Sequence, residues 1–316
     1  MRWLRIGVAV AALAAAGCGP LVQRSVYIDR GLAALAPSDT VTLGGVRLDA
    51  LRTTPLWQKW VAGKPAAPLD ELAKETGLDL RKDVAEVLMA SNGKDGLVLA
   101  KGKFARAELE AALEKRGGRR MPHQGLTLIG SEEAAVVFFN ANVAAAGRAP
   151  MLRRVIDQRG RGGAPKALLD EAKGIAAESQ IWAVSIGGIG DMGKEMMPPG
   201  SLGNLAKLAG MVEKSSFAAD LRAGLNASST LLCRTEQDAR TLSDAVRGIV
   251  GLARLSTPDN EPDLLRLLDG IQVSVEQRTL RIRAQAPQDL LDKALGKLSS
   301  LGPAALNPGL RLPRLP

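Results

Sequence analysis

Two hydrophobic periods alternate along this chain. A period of two marks strands, and a period near 3.6 marks helices packed on one side. Val41, Leu43, Val46 and Leu48 predict a first strand. A Pro-rich break follows (Pro55, Pro65, Pro68). It holds a short helical piece with Trp57 and Trp60, and a second piece over Leu69–Glu75 that Gly77 ends. Val84–Ala90 and Leu97–Ala100 predict a hairpin across Asn92-Gly93-Lys94-Asp95-Gly96, where glycine supplies positive φ. Ala105–Arg116 predicts a helix with Leu109 and Leu113 on one face. A hairpin from Gly125–Ile129 and Ala134–Phe139 comes next, then a strand Val143–Ala146 and a helix Met151–Gln158.

The second half repeats this order. Ile181–Ile186 predicts a strand, and Leu202, Leu205, Leu208 and Val212 form one helix face. Phe217–Ala223, a turn at Asn226-Ala227-Ser228 and Thr230–Cys233 read as a hairpin. Thr235 caps the next helix, which carries Leu242, Val246, Ile249 and Ala253 on one side. After a loop bearing Pro258 and Pro262 come strands Ile271–Val275 and Leu280–Ala284. Pro287 opens a last helix with Leu290, Leu291, Ala294 and Leu298 inward. Val84 to Leu113 can be laid on Phe217 to Val246 without a gap, so that Leu99 meets Leu232 and Leu109 meets Leu242. The expectation is an α+β protein of two similar halves. Each half has the order β-α-β-β-α-β-β-α, a mostly antiparallel sheet with helices packed on one face. The halves lie at 38–160 and 180–300, joined by a linker at 161–179. A tether at 18–37 precedes them, with a short helix near Ile28–Leu35, and a Pro-rich, unstructured tail at 301–316 follows.

The first residues change the picture. Met1-Arg2-Trp3-Leu4-Arg5 is short and positive, Ile6 to Ala16 is apolar, and Gly17-Cys18 follows. This is the order of a secretory signal peptide, and the apolar run is too short to span a bilayer. The ending Ala14-Ala15-Ala16-Gly17-Cys18 resembles the bacterial lipoprotein box, with Ala15 where that family usually has Leu. The resemblance implies that residues 1–17 are removed, that Cys18 is lipidated and that it becomes the N-terminus. It also implies a cell-envelope protein, anchored in a membrane and facing the periplasm. Gly19, in place of an Asp, resembles the class sorted to the outer membrane, where the organism has one. The body also resembles a group of bacterial exported proteins of unknown function. The likeness rests on Gly77-Leu78-Asp79-Leu80-Arg81-Lys82-Asp83-Val84, Leu99-Ala100-Lys101-Gly102-Lys103-Phe104 and Ile181-Trp182-Ala183-Val184. It implies no activity.

Composition bounds the rest. With 46% apolar and 24% charged residues the chain can bury a proper core, but aromatics are only 3%, so Leu, Val, Ile and Ala must fill it. Removing residues 1–17 lowers Lys plus Arg from 42 to 40 against 33 acids, which leaves +7. Such a balance favours anionic surfaces, lipid headgroups or acidic envelope polymers. Nucleic acid, the other usual partner of a basic chain, is rarely met by an exported protein, and stacking aromatics are scarce. With Cys18 lipidated, Cys233 is alone, so no intrachain disulfide forms. Cys233 sits in the apolar run Thr230-Leu231-Leu232-Cys233 and reads as a buried small hydrophobe.

No motif supplies a catalytic constellation. Gly188-Ile189-Gly190-Asp191-Met192-Gly193-Lys194-Glu195 approaches a phosphate-binding loop. However, Glu195 stands where Ser or Thr would hold Mg²⁺, and Pro198-Pro199 stops the helix the motif needs. Ser91-Asn92-Gly93-Lys94 matches S-x-x-K but lies in a hairpin turn, without a K-T-G strand. His123, the one histidine, lies in a loop with no second His for a metal. Glu132-Glu133 reads as a turn and Asp289/Asp292 as a solvated helix face. No cofactor and no metal are implied. The basic cluster Arg148, Arg153, Arg154, Arg159, Arg161 and Lys166 is the candidate contact with an anionic surface. The expectation is a lipid-anchored, non-enzymatic envelope protein that binds a protein or an anionic envelope component. The alternatives are a periplasmic hydrolase with dispersed active residues, His123 among them, and a carrier with an apolar groove between the halves.

Overall fold

The computed structural model describes residues 25–63, 67–187, 208, 210–258 and 260–300. The first half runs α1 (Arg30–Leu35), β1 (Thr42–Arg47), α2 (Leu48–Leu51), α3 (Pro55–Trp60), α4 (Ala67–Thr76), α5 (Leu80–Asp83), β2 (Val84–Ser91) and β3 (Gly96–Gly102). It continues through α6 (Arg106–Lys115), β4 (Arg119–His123), β5 (Leu126–Gly130), β6 (Ala135–Phe138), β7 (Val143–Gly147) and α7 (Ala149–Asp157). After α8 (Lys166–Ala172) come β8 (Ile181–Ile186), β9 (Val212–Asp220), β10 (Leu225–Cys233), α9 (Glu236–Leu255), α10 (Pro262–Asp269), β11 (Ile271–Glu276), β12 (Thr279–Ala286) and α11 (Gln288–Ser300). The α+β class expected from the sequence is the one found.

The twelve strands form one antiparallel sheet in the order β11-β12-β10-β9-β8-β1-β2-β3-β7-β6-β5-β4. The order reads outward from the β1/β8 pair. On one side lies β1-β2-β3-β7-β6, and on the other β8-β9-β10-β12-β11. Each half is therefore a three-strand meander, a helix, and a returning hairpin whose last strand lies beside the third. The first half adds the β4/β5 hairpin outside β6. The halves share backbone hydrogen bonds along β1 and β8, from Thr42↔Ser185 to Val46↔Ile181, so they form one sheet and not two.

The two faces of this sheet are covered differently. On one face Leu43, Leu88, Leu99, Val137 and Trp182 pack against α1, α7 and α8. This is called the strap face below, because the N-terminal segment crosses it. Trp182 fits there because Gly45 is opposite it in register: a Cβ on Gly45 would stand 2.3 Å from the indole Nε1. On the opposite face Val84, Phe138 and Ala144 pack with Leu109 of α6 in the first half. In the second half Cys233, Leu280 and Val273 pack there with Ala239 and Leu242 of α9. Helices thus cover both faces of the first half, where the sequence predicts one. Periodicity gives each helix an apolar stripe but does not say which side of a sheet the stripe meets.

Three boundaries shift. The expected tether 18–37 contains part of the core: Val26, Leu32 and Ala36 are buried, and Val26 N–H donates to the Ile175 carbonyl at 2.8 Å. The expected linker 161–179 contains α8, whose Leu168 and Ala172 are buried in the same core. The β9/β10 turn lies at Leu221–Gly224, where Gly224 takes φ +105°, and Asn226 to Ser228 are already in β10. There Asn and Ser alternate outward with inward Leu225 and Ala227, so the gapless overlay of the halves misplaces this turn. Pro262, expected in a loop, starts α10 at the position where its missing N–H costs nothing. His123 ends the edge strand β4, which tolerates Pro122 because an edge strand can lose a donor. The predicted helix over Leu202–Val212, the Gly188–Glu195 motif, Cys18 and the tail 301–316 lie wholly or largely outside the described residues.

Candidate binding surfaces on the sheet

Register places one row of small and apolar side chains across the middle of the face opposite the strap. Val98 pairs with Met89, Met89 with Gly44, Gly44 with Ala183, and Ala183 with Phe217. Five adjacent strands contribute, so the row spans roughly 20 Å. Met89 is 44% exposed, Phe217 40% and Val98 39%, although all three sit mid-strand in the sheet interior. The reason is that α6 covers one end of this face and α9 the other, so the centre lies between them. Gly44 deepens the row, and the Met89 Cε lies 3.5 Å from where its Cβ would be. Asp292 of α11 links the halves by accepting from Trp60 Nε1 and Lys59 Nζ of α3, both at 2.8 Å. The expected solvated face at Asp289/Asp292 thus includes a contact between the halves. Further apolar side chains, Ile249, Leu252 and Leu255, are exposed on the second half of α9.

The strap face carries a second surface. Under β10, β12 and β11, among the described residues, no helix covers it. Ser228, Arg283 and Gln272 form one row in register, and Thr230, Arg281 and Ser274 the next. This polar plate borders a shallow concavity of about 380 Å³. Arg281 pairs with Glu276 at 2.6 Å, and Arg283 has no ion-pair partner among the described residues.

The N-terminal strap is held by a charged cluster. Asp29 caps α1 by accepting from the Leu32 N–H at 3.0 Å, and it also accepts from Lys101 Nζ on β3. Burial works to raise the Asp29 carboxyl, but these hydrogen bonds outweigh it and the pKa falls below its ordinary value. The Asp29 N–H donates to Glu86 Oε1 at 3.4 Å. Burial pushes the Glu86 carboxyl up, and the nearby Asp29 charge adds to that.

The sequence-predicted basic cluster is dispersed into ion pairs. Arg148 binds Asp95 and Glu133, Arg153 binds Glu132 at 2.6 Å, and Arg154 binds Asp39 at 2.7 Å. Lys166 and Lys173 hold Asp170 so firmly that its pKa drops to about 2. Arg159 and Arg161 remain exposed without an ion-pair partner among the described residues. Ser91 Oγ is buried in its turn, accepting from Gly93 N–H at 3.0 Å and donating to the Asp95 carbonyl at 3.0 Å. His123 Nε2 lies 2.6 Å from Asp157 Oδ1. Cys233 is fully buried, and burial raises its thiol pKa. Among the described residues no group of His, Cys, Asp and Glu is arranged to hold a metal, and no helix is long and apolar enough to cross a membrane.

No protein-family model matches the chain, and no curated protein sequence does. Solved structures do resemble it. Crystal form I of TP0453 aligns over 87% of this chain and 98% of its own, with 11% identity and a TM-score of 0.47. Crystal form III aligns over 86% and 99%, with 11% identity and a TM-score of 0.48. Likeness at this level transfers no residue and no function.

Proposed function

We propose that this chain is a lipid-anchored, non-enzymatic protein of the cell envelope, held through Cys18 and facing the periplasm. It works by binding an apolar segment of another envelope protein. The observation that carries this reading is the row Val98-Met89-Gly44-Ala183-Phe217 in the middle of the sheet, in which Val98, Met89 and Phe217 are exposed, Ala183 is half-buried and Gly44 is buried. Isolated apolar side chains on a surface are ordinary, but three large ones exposed in one register row of the sheet interior support a contact surface. Fully burying a Phe, Met or Val side chain contributes about 1.5–3 kcal/mol each. Covering the exposed part of these three therefore contributes about 3 kcal/mol, roughly a hundredfold in affinity.

The same row favours a second reading, a carrier that holds an acyl chain. One experiment separates them. A photo-crosslinking residue is placed at Phe217 in growing cells. A discrete protein adduct that disappears with Met89→Ser and Val98→Ser supports the protein partner, and a lipid adduct supports the carrier. The absence of any adduct would sink both. The hydrolase alternative rests on His123 with Asp157. His123→Ala is expected to leave the cellular phenotype intact, and loss of turnover on an envelope substrate would reinstate the enzyme.

A further inference from the structure

We infer that the polar plate of the strap face, centred on Arg281 and Arg283, is the surface this protein lays against anionic lipid headgroups. The inference rests on the reading of Cys18 as the lipid anchor. Only six residues, 19–24, separate Cys18 from Ser25. Fully extended, six residues reach about 20 Å. Ser25 is fixed on the strap face: it bridges to Ala176, and its neighbour Val26 is buried under the sheet with Ile175. The lipid therefore leaves the body on this face, and the body stays within about 20 Å of the bilayer, too close to turn the opposite face towards it without going round the sheet.

What this face presents is suited to that position. The plate lies beside the strap's exit: α8, which leads to Ala176, is tied to β9 by the Glu171–Lys214 pair, and β10 and β12 follow directly. Its groups are hydroxyl, amide and guanidinium, from Ser228, Thr230, Ser274, Gln272, Arg281 and Arg283, with the Glu276 carboxylate paired to Arg281 at its edge. Exposed cations without an ion-pair partner among the described residues lie on elements of the same face: Arg283, Arg30 at the start of α1, and Arg159 and Arg161 after α7. Several acids of the face are neutralised, Asp39 by Arg154, Asp170 by Lys166 and Lys173, and Asp220 by Arg222. Tyr27, the one tyrosine of the chain, is 56% exposed two residues from Ser25. An amphipathic ring at that place fits the headgroup level of a bilayer. The two surfaces then have opposite orientations: the polar plate towards the membrane, the apolar row towards the periplasm and its partner.

The test uses the lipidated chain in phosphatidylcholine vesicles, with and without phosphatidylglycerol. Fluorophores are attached one at a time at Ser228→Cys, Val98→Cys and Leu255→Cys. Cys233 is buried and does not compete for the label. Accessibility to a water-soluble quencher is read at each position. The expected result is protection at Ser228 only, dependent on the anionic lipid and reversed by salt. Arg281→Glu with Arg283→Glu should abolish it: the loss of the unpaired Arg283 cation alone weakens contact with an anionic bilayer about fivefold, and each substitution also places a negative charge on the plate. Both sites are exposed on a sheet surface, so the double variant keeps its circular dichroism. Protection at Leu255 or Val98 with Ser228 still quenched overturns the inference while the anchor stands. A peptide mass showing unacylated Cys18 overturns the anchor reading and this inference with it.

Discussion

At the scale of single residues, two close fits carry the clearest consequences. Trp182 fills the space left by Gly45 under the central strand pair. Gly45→Ala would drive a Cβ into the indole, and overpacking of this kind costs about 1–3 kcal/mol. The unfolding free energy from urea titration should fall by that amount, and Trp182→Phe in the same chain should restore part of it. Glu86 is the second case. Its carboxyl is raised by burial, so the folded state binds its proton more tightly than the unfolded state does. Ionised Glu86 therefore penalises folding above its folded pKa, and the penalty disappears as pH falls towards the ordinary value of 4.5. Glu86→Gln keeps an oxygen for the Asp29 N–H and removes the charge. It should stabilise the protein at pH 8, with the gain shrinking towards pH 4.5. A pH-independent difference in urea midpoint would mean that ionised Glu86 carries no such penalty.

At the scale of elements, the strap α1 depends on Asp29 for both its helix cap and its tie to Lys101. Loss of an N-cap costs about 1 kcal/mol, and an ionic hydrogen bond about 1.5–3 kcal/mol. Asp29→Ala should release the strap before the sheet, read as faster hydrogen exchange at Leu32 and Ala33 with little change at Leu88. Because the Asp29 pKa is lowered, the tie holds at neutral pH and weakens as pH falls below 3.8, so acid should mimic the substitution. The long helix α9 is fixed at its start by a reciprocal capping box, Thr235 with Asp238. Thr235→Ala should cost about 1 kcal/mol. Elements of this kind were legible in the sequence: Thr235 as a cap, the Asn92–Asp95 turn, Leu109 facing the core. Other elements were hidden for physical reasons. Helix α8 is short and lies among Gly, Lys and Arg, so composition masks Leu168. Strand β4 holds Pro122 and two arginines, which read as a loop because edge strands are built to look unlike central ones. In β10, Asn and Ser resemble a turn although they are the solvent side of a strand.

At the scale of the whole molecule, the candidate surfaces are products of register. Phe217, Ala183, Gly44, Met89 and Val98 come from five strands, and apart from Met89 and Val98, which share one hairpin, they lie far apart in sequence. The duplicated order was readable, because each half repeats its strand and helix periods, but the join was not. Nothing in Thr42–Val46 or Ile181–Ser185 marks them as partners. Their pairing has a thermodynamic consequence. β1 and β8 are interior strands, and each supplies half of the hydrogen bonds that join the two meanders. Trp182 of β8 packs in the same core as Leu43 and Leu88, so its burial depends on both halves at once. Unfolding either half exposes that core and removes the edge partner of the other. The protein should therefore unfold in one transition, with tryptophan fluorescence and far-ultraviolet circular dichroism changing at the same denaturant concentration. Two separated transitions would show that each meander is stable alone and that the β1/β8 pairing is a docking contact, weaker than the halves it joins. Val184→Pro sharpens the test. Proline is tolerated poorly inside a sheet, and at this position it lies in the strand that joins the halves. In a single cooperative unit it should lower the midpoint for both probes together, whereas in two independent domains only the second half would respond.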